Sequence, residues 1–328
     1  MPFSLGSASG FVKNSPQFAA CSAIAHKSAL KIQKLHFMQD KVTPQSPDWP
    51  LATCIFWQAK ACCHFEFQAP LMRISFIGAG RLASQLAIAL AARHTIQHIY
   101  SRDLSKAQRL AEQVKAHATN DYADLQAACD LIIVAVSDRA IADVIAAVHA
   151  HAPEALIVHT SGSTAMQVLT DTHARAGVFY PLQTFSFERS TDWTQTPLLL
   201  EAANTADLQD LQRLASELSP RVYHYDSAQR LSLHLAAVFA CNFSNYCYDM
   251  AKQILDAQNA DFALLYPLIL ETAQKATQAD PKTMQTGPAM RGDTAIINMH
   301  QAMLQHSERG DLLEIYQNMS AQILKRHA

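Results

Sequence analysis

The chain has 328 residues, enough for about two domains of ordinary size. Apolar residues make up 49% and charged residues 16%, which excludes a disordered or fibrous protein. Its 26 basic and 28 acidic residues leave a net charge of -2, without the basic surplus of a nucleic-acid binder, and no apolar run approaches the roughly 18 residues that a membrane-spanning helix needs.

Residues 1–71 differ in composition from the rest. They hold four of the seven cysteines, two of the three tryptophans, half of the 14 phenylalanines and no arginine. Neither helical nor alternating periodicity persists there. No basic stretch precedes the short apolar patch at Phe18–Ala25, and arginine is missing, so neither a signal peptide nor a mitochondrial presequence fits. Cys54, Cys62, Cys63 and His64 match no structural zinc spacing, and no metal site is expected. The expectation is a disordered extension, or upstream sequence translated from a misplaced start. An odd cysteine count in a chain this long fits reduced thiols, so a soluble cytoplasmic protein is expected.

From Met72 onward short apolar runs alternate with helical patterns. Strands are expected at Arg73–Ile77, His98–Ser101, Leu131–Val136, Leu156–His159 and Gly177–Tyr180, with a weak one near Ala118. Helices are expected between them, at Leu82–Arg93, Leu104–Ala116, Tyr122–Ala128, Ile141–Ala150 and Ala165–Ala174. Leu198–Glu201 and Val222–Tyr225, flanking a helix at Asp207–Leu218, would complete the sheet. This alternation implies an α/β domain over 72–226, a doubly wound, mostly parallel sheet of the Rossmann kind.

The first strand-to-helix turn carries the strongest chemical signal. Gly78-Ala79-Gly80-Arg81-Leu82-Ala83 is a G-x-G-x-x-A fingerprint directly after a strand and before a helix. Gly78 permits the tight turn, and Gly80 lets a pyrophosphate approach the backbone at the helix N-terminus. An NAD site usually places an acidic residue about 20 residues further on, to bond the ribose 2′-hydroxyl. Here Tyr100-Ser101-Arg102 stands instead, and a guanidinium with a hydroxyl suits a 2′-phosphate, so NADP is favoured. Asp103 opposes a phosphate unless it caps the following helix. Ser137 and Ser161, in the turns after the next two strands, face the expected cofactor edge.

After Asp226 the period changes to that of helices, giving a helical domain over 227–328. Leu231, Leu235, Phe239, Phe243, Tyr246, Met250 and Ile254 mark one long amphipathic helix. His234, Cys241 and Asn245 share a face, and Asn242 lies on the apolar stripe, so His234, Asn242 and Asn245 form either a structural network or a place where ligand supplies the bonds. A second helix is expected at about Ala263–Gln278, a third from Asp293, and a fourth opening with a capping box at Asp311-Leu312-Leu313-Glu314. In Thr286–Asp293 two glycines and a proline shape an unusual backbone around Arg291.

These motifs carry a resemblance. Phe76–Gly80, His159-Thr160-Ser161-Gly162-Ser163, Tyr180–Phe185, His234–Phe243 and Thr286–Asp293 resemble the bacterial Rossmann-like proteins with the C-terminal domain of unknown function 2520, over residues 72–328. The sequence departs from them at Tyr180, where many carry His, and at Ser137, where many carry Pro. The first domain is similar to pyrroline-carboxylate reductases and deazaflavin-dependent NADP oxidoreductases. The resemblance implies an NADP-dependent oxidoreductase, dimeric through its helical domain, that transfers a hydride to or from a small carbonyl or imine substrate between the two domains. In that reading the catalytic residues are His234, Asn242 and Arg291, with His234 a general acid, Asn242 orienting the substrate and Arg291 binding a carboxylate. Gly78, Ala79, Gly80, Arg81, Leu82, Ser101, Arg102, Ser137 and Ser161 would hold the cofactor. The competing expectation is a non-catalytic NADP-binding sensor or scaffold.

Overall fold

In the computed structural model the chain divides into two units, Met1–Gln68 and Ala69–Ala328. The structure describes residues 71–126, 129–307 and 309–328. The expected extension, with its cysteines and His64, therefore lies outside the described residues apart from Leu71.

The second unit starts on a sheet. β1 (Arg73–Ile77) leads through α1 (Arg81–Leu90) to β2 (Thr95–Tyr100), then through α2 (Leu104–Val114) to β3 (His117–Thr119). A 3-10 turn at Tyr122–Gln126 leads towards β4 (Leu131–Val134), and α3 (Ile141–His149) and β5 (Leu156–His159) follow. The short α4 (Gln167–Thr170) precedes β6 (Ala176–Pro181), and β7 (Leu198–Ala202), α5 (Thr205–Leu218) and β8 (Val222–His224) complete the layer. The strand order is β3-β2-β1-β4-β5-β6-β7-β8, parallel throughout except where β7 runs against β6. This is a Rossmann-like sheet, and the chain crosses from one half to the other between β1 and β4, where open α/β sheets bind ligands.

Side-chain alternation explains the double winding. On β4, Leu131 and Ile133 pack with Leu86, Leu90 and Leu110 of α1 and α2, while Ile132 and Val134 pack with Ile141, Ile145 and Val148 of α3. All four are buried, as a strand covered on both faces requires. The expected helix at Ala165–Ala174 shrinks to one turn. That segment carries β-branched Val168, Thr170 and Thr172, and His173 Nε2, 2.7 Å from the Ala155 carbonyl, turns the chain inward.

The remaining residues are helical. α6 (Ser227–Ala237) opens with a capping box between Asp226 and Gln229 and runs into a π-helical turn at Val238–Phe243, then α7 (Ser244–Asp256). α8 (Tyr266–Gln278), the short α9 (Pro288–Arg291), α10 (Thr294–His306) and α11 (Gly310–His327) follow. The capping box expected at Asp311 does not form. α11 begins two residues earlier, with Arg309 at its cap position, and Asp311 accepts instead from the Arg309 guanidinium at 2.8 Å. Among the described residues no helix is long and apolar enough to cross a membrane.

The apolar stripe of the long helix is not packed inside the chain. Leu231, Leu235, Phe239, Phe243 and Tyr246 are exposed, as are Asn242 and Asn245. The reading of these asparagines as a buried network is therefore corrected. The four-residue spacing from Leu231 to Phe243 exceeds the 3.6-residue period, and the wide π turn absorbs the excess. The Ser244 hydroxyl donates to the Phe239 carbonyl, five residues back, at 3.4 Å.

Candidate functional site

Four strand ends, those of β1, β2, β4 and β5, build the site. After β1 the backbone of Gly78 takes φ +115°, and a Cβ there would lie 2.2 Å from the Ala135 carbonyl oxygen. No other residue type fits so close an approach. Gly80 starts α1, and a Cβ built on it meets nothing within 4 Å. The helix N-terminus therefore opens onto free space, a cradle with backbone donors that suits an anion.

That space belongs to a cavity of about 900 Å³. It is lined by the glycine turn with Arg81, Leu82 and Ala83, by Ala135, Val136 and Ser137 after β4, and by Tyr100, Ser101, Arg102 and Lys106. The sequence-derived residues Gly78, Ala79, Gly80, Arg81, Leu82, Ser101, Arg102 and Ser137 are thus brought together. Arg102 is exposed at the cavity rim. Asp103 does not face it as a free carboxylate. It caps α2 by accepting from Ser105 and Lys106 amides, and its bond to the Ser105 hydroxyl holds it below the ordinary carboxylate range. Ser101 Oγ accepts from the Asp103 amide at 3.2 Å, which leaves its own proton for a ligand. Lys106, in the first turn of α2 and 3.3 Å from Asp103, adds a second cation that the sequence reading passed over. Tyr122 stacks on Tyr100 at 4.1 Å behind Arg102.

Ser161 sits elsewhere. Its buried hydroxyl accepts from the Ser163 and Thr164 amides at 3.1 and 2.9 Å and so builds the turn after β5 instead of lining the cavity. The next hydroxyl, Ser163 Oγ, donates to the Asp138 carboxylate, tying this turn to the one after β4. Below it His159 is buried, and burial, with the nearby Arg230 guanidinium, pushes its imidazole down to about 4. Neutral His159 accepts the Ser161 amide on Nδ1 at 3.1 Å.

The same turn touches the long helix. A Cβ on Gly162 would lie 2.6 Å from His234 Nδ1 and 2.8 Å from Tyr180 Cζ. His234 Nδ1 and the Tyr180 hydroxyl are 3.1 Å apart. Burial raises the Tyr180 phenol, so it stays protonated. Nothing in the sequence around Tyr180 marks it as the partner of His234; only the packing of β6 against α6 brings the two together. A buried clasp fixes this contact one turn earlier. Arg230 bonds the Glu201 carboxylate, the Thr164 carbonyl at 2.6 Å and Ser227 Oγ at 3.1 Å, while Ser227 Oγ accepts from the Met166 amide at 3.0 Å.

Asn242 and Arg291 are not brought to His234 within one chain. Asn242 stands two turns further along the long helix and exposed. Arg291 ends α9, which packs on α10 and α11; it is exposed and, among the described residues, pairs with no carboxylate. Asp293 caps α10 through the Ile296 amide.

A second cavity of about 680 Å³ opens at the opposite, amino-terminal edge of the strands, beside Arg73, Asp130 and Arg175. Its arginines are already paired, Arg73 with Asp130 and Arg175 with Asp207. Ligands of such sheets bind at the carboxyl ends, which favours the glycine-lined cavity.

Comparison with known proteins agrees with this geometry. Residues 73–162 match the family described as NADP oxidoreductase coenzyme F420-dependent, and residues 196–323 match the domain of unknown function DUF2520. No curated protein matches the chain. Among solved structures, a Bacteroides fragilis protein provisionally named an NADP oxidoreductase is 42% identical, over 78% of this chain and 98% of that one, with a TM-score of 0.74. A Thermotoga maritima protein is 23% identical over 77% and 98% of the two chains, with a TM-score of 0.59. An imine reductase from Myxococcus stipitatus in complex with NADP+ is 18% identical over 78% and 93%, at a TM-score of 0.58, a likeness of fold alone. At 42% identity across nearly the whole of the Bacteroides fragilis chain, this protein belongs to the same family, in which an NADP-oxidoreductase-type Rossmann domain is joined to a DUF2520 domain.

Proposed function

We propose that the protein is an NADP-dependent oxidoreductase acting on a small carbonyl or imine compound, and that it works as a homodimer. The observation that carries this reading is the Tyr180–His234 pair, packed on Gly162 at the carboxyl edge of the sheet. β6 stands three places from β1 in the sheet order, about 14 Å at ordinary strand spacing, a span that a nicotinamide ring and a substrate would fill.

The residues present fit the cofactor. The open helix N-terminus at Gly80 and the Arg81 guanidinium would hold the pyrophosphate, and Ser101, Arg102 and Lys106 the 2′-phosphate. When bound, NADPH supplies the hydride. The protein supplies position and a proton. When His234 carries its proton on Nε2, the Tyr180 hydroxyl donates to Nδ1. When the ring is charged, the phenol oxygen accepts from Nδ1–H instead, so one hydroxyl serves both states without movement of either residue. His234 is then the general acid and Tyr180 its positioning partner. Asn242 would orient the substrate from further along the helix.

The exposed face of Leu231, Leu235, Phe239 and Phe243 is the surface on which a second copy would sit. Arg291 lies apart from His234 in one chain, so its role, holding a substrate carboxylate, requires that dimer. The test is to titrate NADPH, then screen carbonyl and imine acids, cyclic imines included, for loss of reduced-nicotinamide absorbance. His234→Ala is expected to lower turnover by about 10² to 10⁴ while NADPH still binds. Tight NADPH binding by the wild type without turnover on any compound would favour a sensor or scaffold.

A further inference from the structure

We infer that Phe187, on the loop between β6 and β7, is a cofactor-binding residue whose ring covers the pyrophosphate half of the dinucleotide, held there by Gln85. The inference rests on the reading of the glycine-lined cavity as an NADP site. It adds to that site a segment about a hundred residues away from the fingerprint in sequence.

The loop is clamped to the helix that the pyrophosphate would cap. Gln85, in the second turn of α1, donates through Nε2 to the carbonyls of Ser186 and Arg189 at 3.3 and 3.2 Å. Its Oε1 accepts from the Thr191 amide at 3.2 Å. One side chain thus uses three of its hydrogen-bonding positions on the backbone of a single loop. Phe185 and Trp193, with ring centres 6.0 Å apart, close the loop on itself.

Phe187 lies between the two anchored carbonyls and turns outward. It is 61% exposed, yet it lines the cavity of about 900 Å³. It also lines a neighbouring groove of about 440 Å³, and Ala79 and Lys106 belong to both. The ring therefore stands where the two spaces meet, together with Ala79 of the glycine turn and Lys106. The Arg81 guanidinium carbon lies 5.8 Å from the ring centre, and Arg81 pairs with no carboxylate among the described residues. A cation resting on an exposed aromatic face is weakly held. It remains available to a phosphate, and the same ring then excludes water from the new ion pair, which strengthens it.

Calorimetric titration of the full chain tests this, with NADPH and with 2′-phospho-ADP-ribose, which lacks the nicotinamide. Phe187→Ala is expected to weaken both ligands about tenfold and by the same factor, Phe187→Trp to stay within about threefold of wild type, and Gln85→Ala to fall between. Phe187→Ala binding both ligands within twofold of wild type overturns the inference while the NADP reading stands. A loss confined to NADPH also overturns it, because it would place the ring over the nicotinamide half. A wild type that binds neither ligand overturns the NADP reading, and the role of Phe187 with it.

Discussion

Gly162→Ala is the sharpest probe of the Tyr180–His234 pair. The added methyl would stand 2.6 Å from His234 Nδ1, 2.8 Å from its Cγ and 2.8 Å from Tyr180 Cζ. Ordinary carbon contacts need about 3.5 Å or more, so one or both rings must retreat by close to 1 Å. Neither has an easy way out. Tyr180 is buried in β6, and His234 rides on a helix pinned by Arg230. The Gly162 backbone is not in the left-handed region, so alanine adds crowding without backbone strain. Overpacking of this kind costs about 1–3 kcal/mol, which for a unit of this size lowers Tm by roughly 2–10 °C. A catalytic group displaced by about 1 Å loses on the order of a hundredfold in rate. Calorimetric melting, NADPH titration and nitrogen NMR of the His234 ring read these effects separately. The expected result is a lowered Tm, NADPH affinity within about threefold of wild type, and a His234 ring-nitrogen spectrum shifted from that of the wild type. A variant with unchanged Tm and an unchanged His234 spectrum would refute the contact.

Arg230→Met removes one partner of a buried ion pair and should cost about 3–5 kcal/mol in denaturant melts; Glu201→Gln, which leaves the buried Arg230 guanidinium without a counter-charge, should cost a comparable amount, and a loss below about 1 kcal/mol in either variant would contradict the clasp. For pH dependence, His159 takes up its proton near pH 6.5 when unfolded but near 4 in the fold. Between those values the unfolded chain binds more protons, so stability is full above about pH 6.5 and falls as pH drops towards 4, by up to about 3 kcal/mol. His159→Asn should flatten that part of the profile relative to wild type, measured as the difference in unfolding free energy between pH 7 and 4.5; identical slopes would assign the acid sensitivity to other groups. Gly78→Ala should prevent correct closure of the β1 turn, read as loss of NADPH binding or of folded protein, because its Cβ would meet the Ala135 carbonyl at 2.2 Å.

The parts of the fold that a local pattern decides were legible in the chain. Arg73–Ile77 and Leu156–His159 are strands as expected, since continuous apolar runs beside glycine or polar turns have few alternatives. The glycine-lined wall of the cavity was legible for the same reason, because Gly78 and Gly80 answer to backbone geometry within one turn. Long-range choices were not. Tyr180 and His234 are 54 residues apart and meet only when β6 packs against α6. Gln85 reaches a loop whose backbone, not its side chains, it reads. Ser161 looked like a ligand contact, but its hydroxyl oxygen accepts from two amides of its own turn and lies off the glycine-lined cavity, an outcome that residue type cannot separate from the other. The apolar stripe from Leu231 to Ile254 announced an amphipathic helix without saying what faces it, and within one chain it faces solvent. The π turn had left a trace, the repeated spacing of four, which a strict 3.6-residue reading overlooks.

The central claim is that Ser101, Arg102 and Lys106 at the end of β2 select the phosphorylated dinucleotide. Parallel calorimetric titrations of the purified full chain with NADPH and NADH, repeated on Arg102→Ala combined with Lys106→Ala, test it most directly. The account predicts that NADPH binds at least about tenfold tighter than NADH in the wild type, and that the double variant erases most of this preference while NADH affinity holds. Equal affinity for the two coenzymes, or a preference that survives loss of both cations, would contradict it.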